Sequence, residues 1–180
     1  TPGLGGEVLT KMGGTVVNMP AGEIFTALQT GAIDATEWIG PYNDQALGLH
    51  KAAKYYYTPG WQEPNVTFEL DVNLKAWETL PDDLKAIVRA AARDVNGDML
   101  DDYNAKNMEA LEQLREQGVE VRRLPDEVLA RLKEVAAEVV DASAKADPVA
   151  AKVWEQQSAY LKRLYEYAEL NEKDIYNIRG

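Results

Sequence analysis

Residues 19–38 read Met19-Pro20-Ala21-Gly22-Glu23-Ile24-Phe25-Thr26-Ala27-Leu28-Gln29-Thr30-Gly31-Ala32-Ile33-Asp34-Ala35-Thr36-Glu37-Trp38, and residues 54–64 read Lys54-Tyr55-Tyr56-Tyr57-Thr58-Pro59-Gly60-Trp61-Gln62-Glu63-Pro64. In the first stretch Ile24 and Leu28, flanked by Phe25 and Ala32, recur at helical spacing. Pro20 suits the helix entry and Gly31 its exit. Ile33 to Trp38 then returns to an extended state. Lys54 to Tyr57 reads as a strand, and Pro59-Gly60 as a turn before an exit at Trp61-Gln62-Glu63. A helix followed by a strand, repeated, predicts a parallel or mixed sheet of an α/β protein. Each strand leads to a Glu near a Trp. Ligands of open α/β sheets bind outside the carboxyl ends of strands, so the two exits read as two lips of one site.

Outward from this stretch, Thr1-Pro2-Gly3-Leu4-Gly5-Gly6 reads as a Gly/Pro turn, with a short helix from Glu7 to Met12 that stops at Gly13-Gly14. Thr15 to Met19 is β-rich and predicts a short strand. Asn43 to Ala53 predicts a short helix with Leu47 and Leu49 inward. Val66, Phe68, Leu70, Val72 and Leu74 alternate with polar residues, the pattern of a strand with one buried face. From residue 80 the pattern becomes one of long helices. Pro81-Asp82-Asp83 opens a helix that runs to Gln117 and stops at Gly118, about 55 Å if unbroken, with Gly97 as its weak point. Val119, Val121 and Leu124 make a short strand. Pro125 opens a helix with Val128, Leu132, Val135, Val139 and Ala142 on one stripe. Asp147-Pro148 breaks that helix and caps the last one, which carries Val149, Val153, Trp154, Leu161, Leu164, Tyr165 and Ala168. The chain thus divides into a ligand-binding α/β segment (1–80), long connecting helices with a short strand (81–147), and a C-terminal helix and tail (148–180).

At 180 residues, 46% hydrophobic and 27% charged, the composition is that of a globular protein with a sizeable core. The net charge of −11, spread over both halves, argues against nucleic acid or an anionic membrane surface as partner. The sequence contains no cysteine. That excludes thiol catalysis, disulfides and Cys-based zinc sites, and it fits an oxidising compartment.

Glu37 and Glu63 are the candidates for chemistry. The ordinary fate of a lone Glu is a solvated surface. A carboxylate drawn inward beside a Trp needs a cation or a donor. Two converging carboxylates with a backbone carbonyl make an oxygen-only cage suited to Na⁺ or Ca²⁺. The same pair could serve a glycoside hydrolase as acid and base. Against that use, no aromatic array beyond the two Trp residues outlines a sugar groove, and no G-x-S-x-G or H-E-x-x-H is present. Trp38 reads either as a pocket wall or as a core residue. Gln62 and Asn43 are candidate hydrogen-bond partners for a ligand. Tyr55, Tyr56 and Tyr57 fit sheet packing better than a pocket. His50 has no Ser, Cys or Asp companion and is assigned no role. A helical protein-interaction module built on residues 81–171 is the remaining alternative.

Pro20 to Asp34 resembles the E-x-Y-x-A-L-Q-T-G-x-V-D-G segment of the substrate-binding proteins of TRAP transporters, the DctP-like family. Glu37-Trp38-Ile39-Gly40-Pro41-Tyr42-Asn43-Asp44 and Gly60-Trp61-Gln62-Glu63-Pro64 resemble its 2-oxoacid and lactate-binding branch. The resemblance is to the C-terminal half of such a protein. It implies a lobe of the type II periplasmic-binding-protein kind, with a mixed sheet and long C-terminal helices. The first lobe, a leader and an arginine that clamps the substrate carboxylate are then expected upstream. The expected function is not enzymatic: an extracytoplasmic component that delivers a small monocarboxylate, such as pyruvate or lactate, to the membrane permease. The resemblance assigns the bridging cation to Glu37, Glu63 and the backbone carbonyl of Trp38. It makes Trp38, Gln62, Glu63 and Asn43 substrate-binding residues in a small, apolar pocket. It also implies a periplasmic location and a homodimer through the C-terminal helix. With only the cation half of the site in hand, the 180-residue chain is expected to bind such acids weakly.

Overall fold

The computed structural model of this chain describes residues 3–64 and 68–179. The chain divides into two compact units, one of residues 16–129 and one that joins the segment up to Thr15 to residues 130–180.

In the first unit, α2 (Ala21–Thr30) follows Pro20 and ends at Gly31, whose left-handed φ of 74° lets the Ala32 amide turn back onto the Ala27 carbonyl at 2.9 Å. Ile24 is the buried residue of this helix. A loop through residues 31–40 leads to α3 (Pro41–Ala46). Gly48, also left-handed, ends that run, and a single 3₁₀ turn at Leu49–Lys51 buries Leu49. The expected helix over 43–53 is therefore two short pieces that meet at a glycine.

β1 (Tyr55–Thr58) pairs in parallel with β2 (Glu120–Arg123), Tyr55 opposite Glu120 and Thr58 opposite Arg123. The Glu120 amide donates to the Lys54 carbonyl at 2.9 Å and the Leu124 amide to the Thr58 carbonyl at 2.8 Å, which extends the ladder at both ends. Between the strands in sequence lie α4 (Leu74–Thr79), capped by the Asn73 side chain, and α5 (Asp82–Glu116), a continuous 35-residue helix. Ala110 and Leu114 of α5 and Val119 before β2 are buried with Ile24 and Leu49. Only the C-terminal part of α5 is drawn into this core.

Three expected strands are not strands here. Thr15–Met19 is irregular, Ile33–Trp38 is bent and then irregular, and Phe68–Asn73 is irregular and leads into α4. Val66 and Thr67 lie outside the described residues. Alternation shows which side chains a segment can bury, but a strand also needs a neighbouring backbone for its amides and carbonyls. Among the described residues none supplies that ladder. Phe68 and Leu74, expected on a buried face, are 60% and 68% exposed. The sheet is accordingly two parallel strands in a mostly helical protein.

The second unit contains α1 (Leu4–Lys11), α6 from residue 130 onward (the whole helix is Asp126–Lys145), α7 (Pro148–Leu170) and α8 (Glu172–Arg179). Leu4 to Gly6, expected in a turn, are the first residues of α1. The stripe read from the sequence of α6 holds in its middle, where Leu132, Val135 and Val139 are buried, joined by Ala144 and by Val8 of α1; Val128 is half-buried, and Ala142, expected on the stripe, is exposed. Lys11 of α1 lies 3.7 Å from Glu138 of α6. Asp147 caps α7, accepting from the amides of Val149 and Ala150 at 2.8 and 2.9 Å. The expected tail beyond α7 is helical as well. No helix among the described residues is long and apolar enough to cross a membrane.

Candidate functional site

Glu37 and Trp38 lie half-buried in the extended end of the loop before α3. That loop is fastened at Asp44, in the first turn of α3. One Asp44 oxygen accepts from the Ile39 amide at 3.2 Å, and the other accepts from the Tyr56 hydroxyl at 2.6 Å. Tyr56, like Thr58, is turned inward on β1. Asp44 therefore ties the Glu37-Trp38 segment to the strand whose exit carries Trp61, Gln62 and Glu63. Burial pushes the Asp44 carboxyl above the ordinary carboxylate range, outweighing the opposite pull of Tyr56 and of the Ile39 and Gly40 backbone. The Tyr56 phenol is pushed well above its usual value, by burial first and by the neighbouring Asp44 carboxylate second.

α3 is in turn gripped by α5. The Tyr42 amide donates to Asn107 Oδ1 at 3.0 Å, and Gln45 Nε2 donates to Gln113 Oε1 at 3.0 Å. The Tyr42 and Tyr103 rings meet edge to face with centroids 6.0 Å apart, and the Lys106 ammonium stands 5.1 Å from the Tyr42 ring centre. Gly40 packs close at this junction: a Cβ there would stand 3.2 Å from Asn107 Oδ1, so the Asn107 side chain would have to shift by a few tenths of an ångström. Asn43, expected to face a ligand, directs its Nδ2 to the Tyr103 hydroxyl at 3.5 Å, and its buried Oδ1 has no protein partner.

Past β1, Trp61 and Gln62 are half-buried and Glu63 is exposed. The oxygen donors present, two carboxylates and main-chain carbonyls, suit a hard cation. Among the described residues no group of three or more Asp, Glu, His or Cys side chains could hold a metal ion. A cation at Glu37 and Glu63 would thus need main-chain oxygen as well. A separate cavity of about 490 Å³ is lined by apolar residues of 70–77 and by Val88 and Ala92 of α5, with Arg89 and Arg93 beside them. None of Glu37, Trp38, Asn43, Gln62 and Glu63 lines it.

Asp44 and Tyr56 carry no role in the sequence reading. An Asp in the first turn of a helix looks like a favourable charge at the dipole, and a Tyr in a strand looks like packing. Their contact spans twelve residues and has no sequence pattern.

The fold and these residues define a solute-binding lobe, and the chain belongs to the DctP family of bacterial extracellular solute-binding proteins, family 7, whose model matches residues 1–147. This is a family of transport proteins and not of enzymes, which sets the glycoside hydrolase reading aside. The chain is 40% identical over 176 residues to a monocarboxylate 2-oxoacid-binding periplasmic protein of Nostoc, covering 98% of this chain and 48% of that protein. A TRAP periplasmic solute-binding protein of Colwellia psychrerythraea, crystallised with calcium and pyruvate, superposes with a TM-score of 0.92 at 34% identity, covering 98% of this chain and 54% of the other. A TRAP transporter solute-binding protein of Bordetella bronchiseptica RB50 gives a TM-score of 0.90 at 33% identity, covering 98% of this chain and 53% of that one. Its crystals hold a mixed-occupancy dimer with copurified calcium and picolinate in one site and the other site apo. The chain spans about half the length of the relatives it matches.

Proposed function

We propose that this chain forms the cation-bearing part of a TRAP transporter solute-binding protein that takes a small 2-oxo or 2-hydroxy monocarboxylate, such as pyruvate or lactate. Glu37, Glu63 and the Trp38 carbonyl would hold the cation, with Ca²⁺ favoured over Na⁺ by the calcium in the Colwellia and Bordetella relatives. When bound, that cation supplies positive charge against the substrate carboxylate. Trp38 would close the pocket to larger acids, and Gln62 and Asn43 would offer hydrogen bonds to the ligand's oxygens. The observation that carries the reading is the joining of both Glu-bearing segments through Asp44 and Tyr56, in a family whose Colwellia member holds calcium and pyruvate. Delivery to a membrane permease is part of the same reading, supported by the TRAP transporter relative of Bordetella, and a periplasmic location is supported by the Nostoc relative.

A homodimer through α7 is part of the same proposal. Val153, Tyr160, Tyr165 and Tyr167 stand exposed on that helix, and the Bordetella relative crystallised as a dimer.

The test of the site is calorimetric titration, in a full-length protein that carries this chain, with calcium and with pyruvate in calcium buffer. Glu37→Gln and Glu63→Gln are each expected to weaken both ligands by about tenfold or more, which corresponds to ~1.4 kcal/mol. Unchanged affinity in both variants would overturn the assignment.

A further inference from the structure

We propose that Asp44 is a positioning residue for the cation site: its carboxylate holds the Trp38–Ile39 peptide in one orientation and polarises it, so that the Trp38 carbonyl becomes a stronger cation ligand. The inference rests on the proposed role of Glu37, Glu63 and the Trp38 carbonyl, and it adds a residue that this role does not name.

The Ile39 N–H and the Trp38 C=O belong to the same planar unit. That bond is trans, since the cis peptide among the described residues is at Thr58–Pro59. Across a trans peptide the N–H and the C=O point in opposite directions. Asp44 Oδ1 accepts from the Ile39 N–H at 3.2 Å, so the Trp38 oxygen is directed away from Asp44. Rotation of the peptide would break this bond to a half-buried carboxylate, which makes rotation costly.

The same bond changes the carbonyl's strength as a donor. A negative acceptor on the N–H draws the peptide's electrons toward its oxygen, and such polarisation is stronger where water is scarce. A hard cation gains from a more negative oxygen. Asp44 is itself held in place. Its second oxygen takes the Tyr56 hydroxyl at 2.6 Å, and its own amide donates to the Gly40 carbonyl at 2.9 Å. The contacts of α3 with Tyr103, Asn107 and Gln113 of α5 fix the helix that carries it. A carboxylate behind a ligating group, anchored to a second element, is the arrangement by which outer partners tune a metal site.

The test uses the 180-residue chain and terbium(III), which takes calcium's oxygen ligands and emits when a nearby tryptophan is excited. Trp38 and Trp61 flank the proposed ligands. The wild type is expected to give tryptophan-sensitised emission that calcium displaces, and Glu37→Gln to lose it. Asp44→Ala is expected to weaken terbium binding by about 10–100-fold, the range for outer partners of metal ligands. Asp44→Asn keeps an acceptor for the Ile39 N–H and should recover part of the loss. Tyr56→Phe, which keeps the ring and frees one Asp44 oxygen, should weaken binding less than Asp44→Ala. Thermal melts of each variant are run alongside. Terbium affinity unchanged in Asp44→Ala and Tyr56→Phe, with binding lost in Glu37→Gln, would overturn the positioning role alone. A lowered melting midpoint in those two variants with unchanged affinity would likewise leave Asp44 with a purely structural part and overturn it. Absence of calcium-displaceable emission from the wild type would remove the cation site itself, and this inference with it.

Discussion

Glu120, at the start of β2, stands between two cations. Lys54 Nζ lies 2.8 Å from one of its oxygens and Arg122 Nη2 lies 2.6 Å from the other. The Arg122 guanidinium also covers the Tyr55 ring at 3.7 Å. The hydrogen bonds from Lys54 and then Arg122 hold the Glu120 carboxyl below its ordinary range. A carboxyl with a depressed folded value adds stability above its unfolded value and loses it as the pH falls through the folded one. Glu120→Gln should therefore lower the urea midpoint slightly near neutral pH, slightly because these side chains are open to solvent. The difference should shrink as the pH falls through the ordinary carboxylate range and vanish in acid below the depressed folded value. An equal difference near neutral pH and in acid would show that the charge of Glu120 is not what matters. At this scale the sequence exposes only part of the proposed site. Glu37, Trp38 and Glu63 are candidates that the sequence alone singles out, because each sits near a turn and in a stretch that carries a Trp. The Asp44–Tyr56 bond is not legible there, because it depends on where α3 lies against β1.

Asp147 shows how local signals set an element's limits. Its side chain accepts from two amides at the start of α7, and Pro148 occupies the first helical position, where a missing N–H costs nothing. Asp147→Ala should destabilise the protein by about 1 kcal/mol, read from equilibrium urea unfolding, whereas Asp147→Ser should keep most of that stability. Equal losses in both variants would mean that the cap is not the cause. Elements bounded by such signals are legible in the sequence: α2 by Pro20 and Gly31, α5 by Pro81 and Gly118, α6 by Pro125 and Asp147. The short parallel pair of β1 and β2 is legible too, from aromatic and β-branched runs next to turns. Residues 15–19, 33–38 and 68–73 carry the composition of strands without becoming strands. Strand character is a relation between two stretches of backbone, and composition reports only one of them. α4 is missed for the converse reason, since Leu74 completes an alternating run in the sequence and opens a helix in the fold.

For the whole molecule the proposed pairing through α7 sets an expectation for its size in solution. Light scattering at micromolar concentration should report twice the 20.0 kDa of one chain. Placing a charge at Tyr165 or Tyr160, both more than 60% exposed, should return the monomer without lowering helix content. A wild-type monomer over that range would remove the dimer from the proposal.

The second unit also has an order of assembly written into its connectivity. Val8 and Leu132 are buried in the same unit although about 120 residues of chain separate them, a loop whose closure carries an entropy cost. During synthesis α1 leaves the ribosome long before α6 exists. Its apolar side chains then have no native cover in that unit while residues 16–129 emerge and can fold as a body of their own. α1 is thus made before the rest of its unit and packed only once α6 has followed, and the interval is one in which a chaperone would find Val8 uncovered.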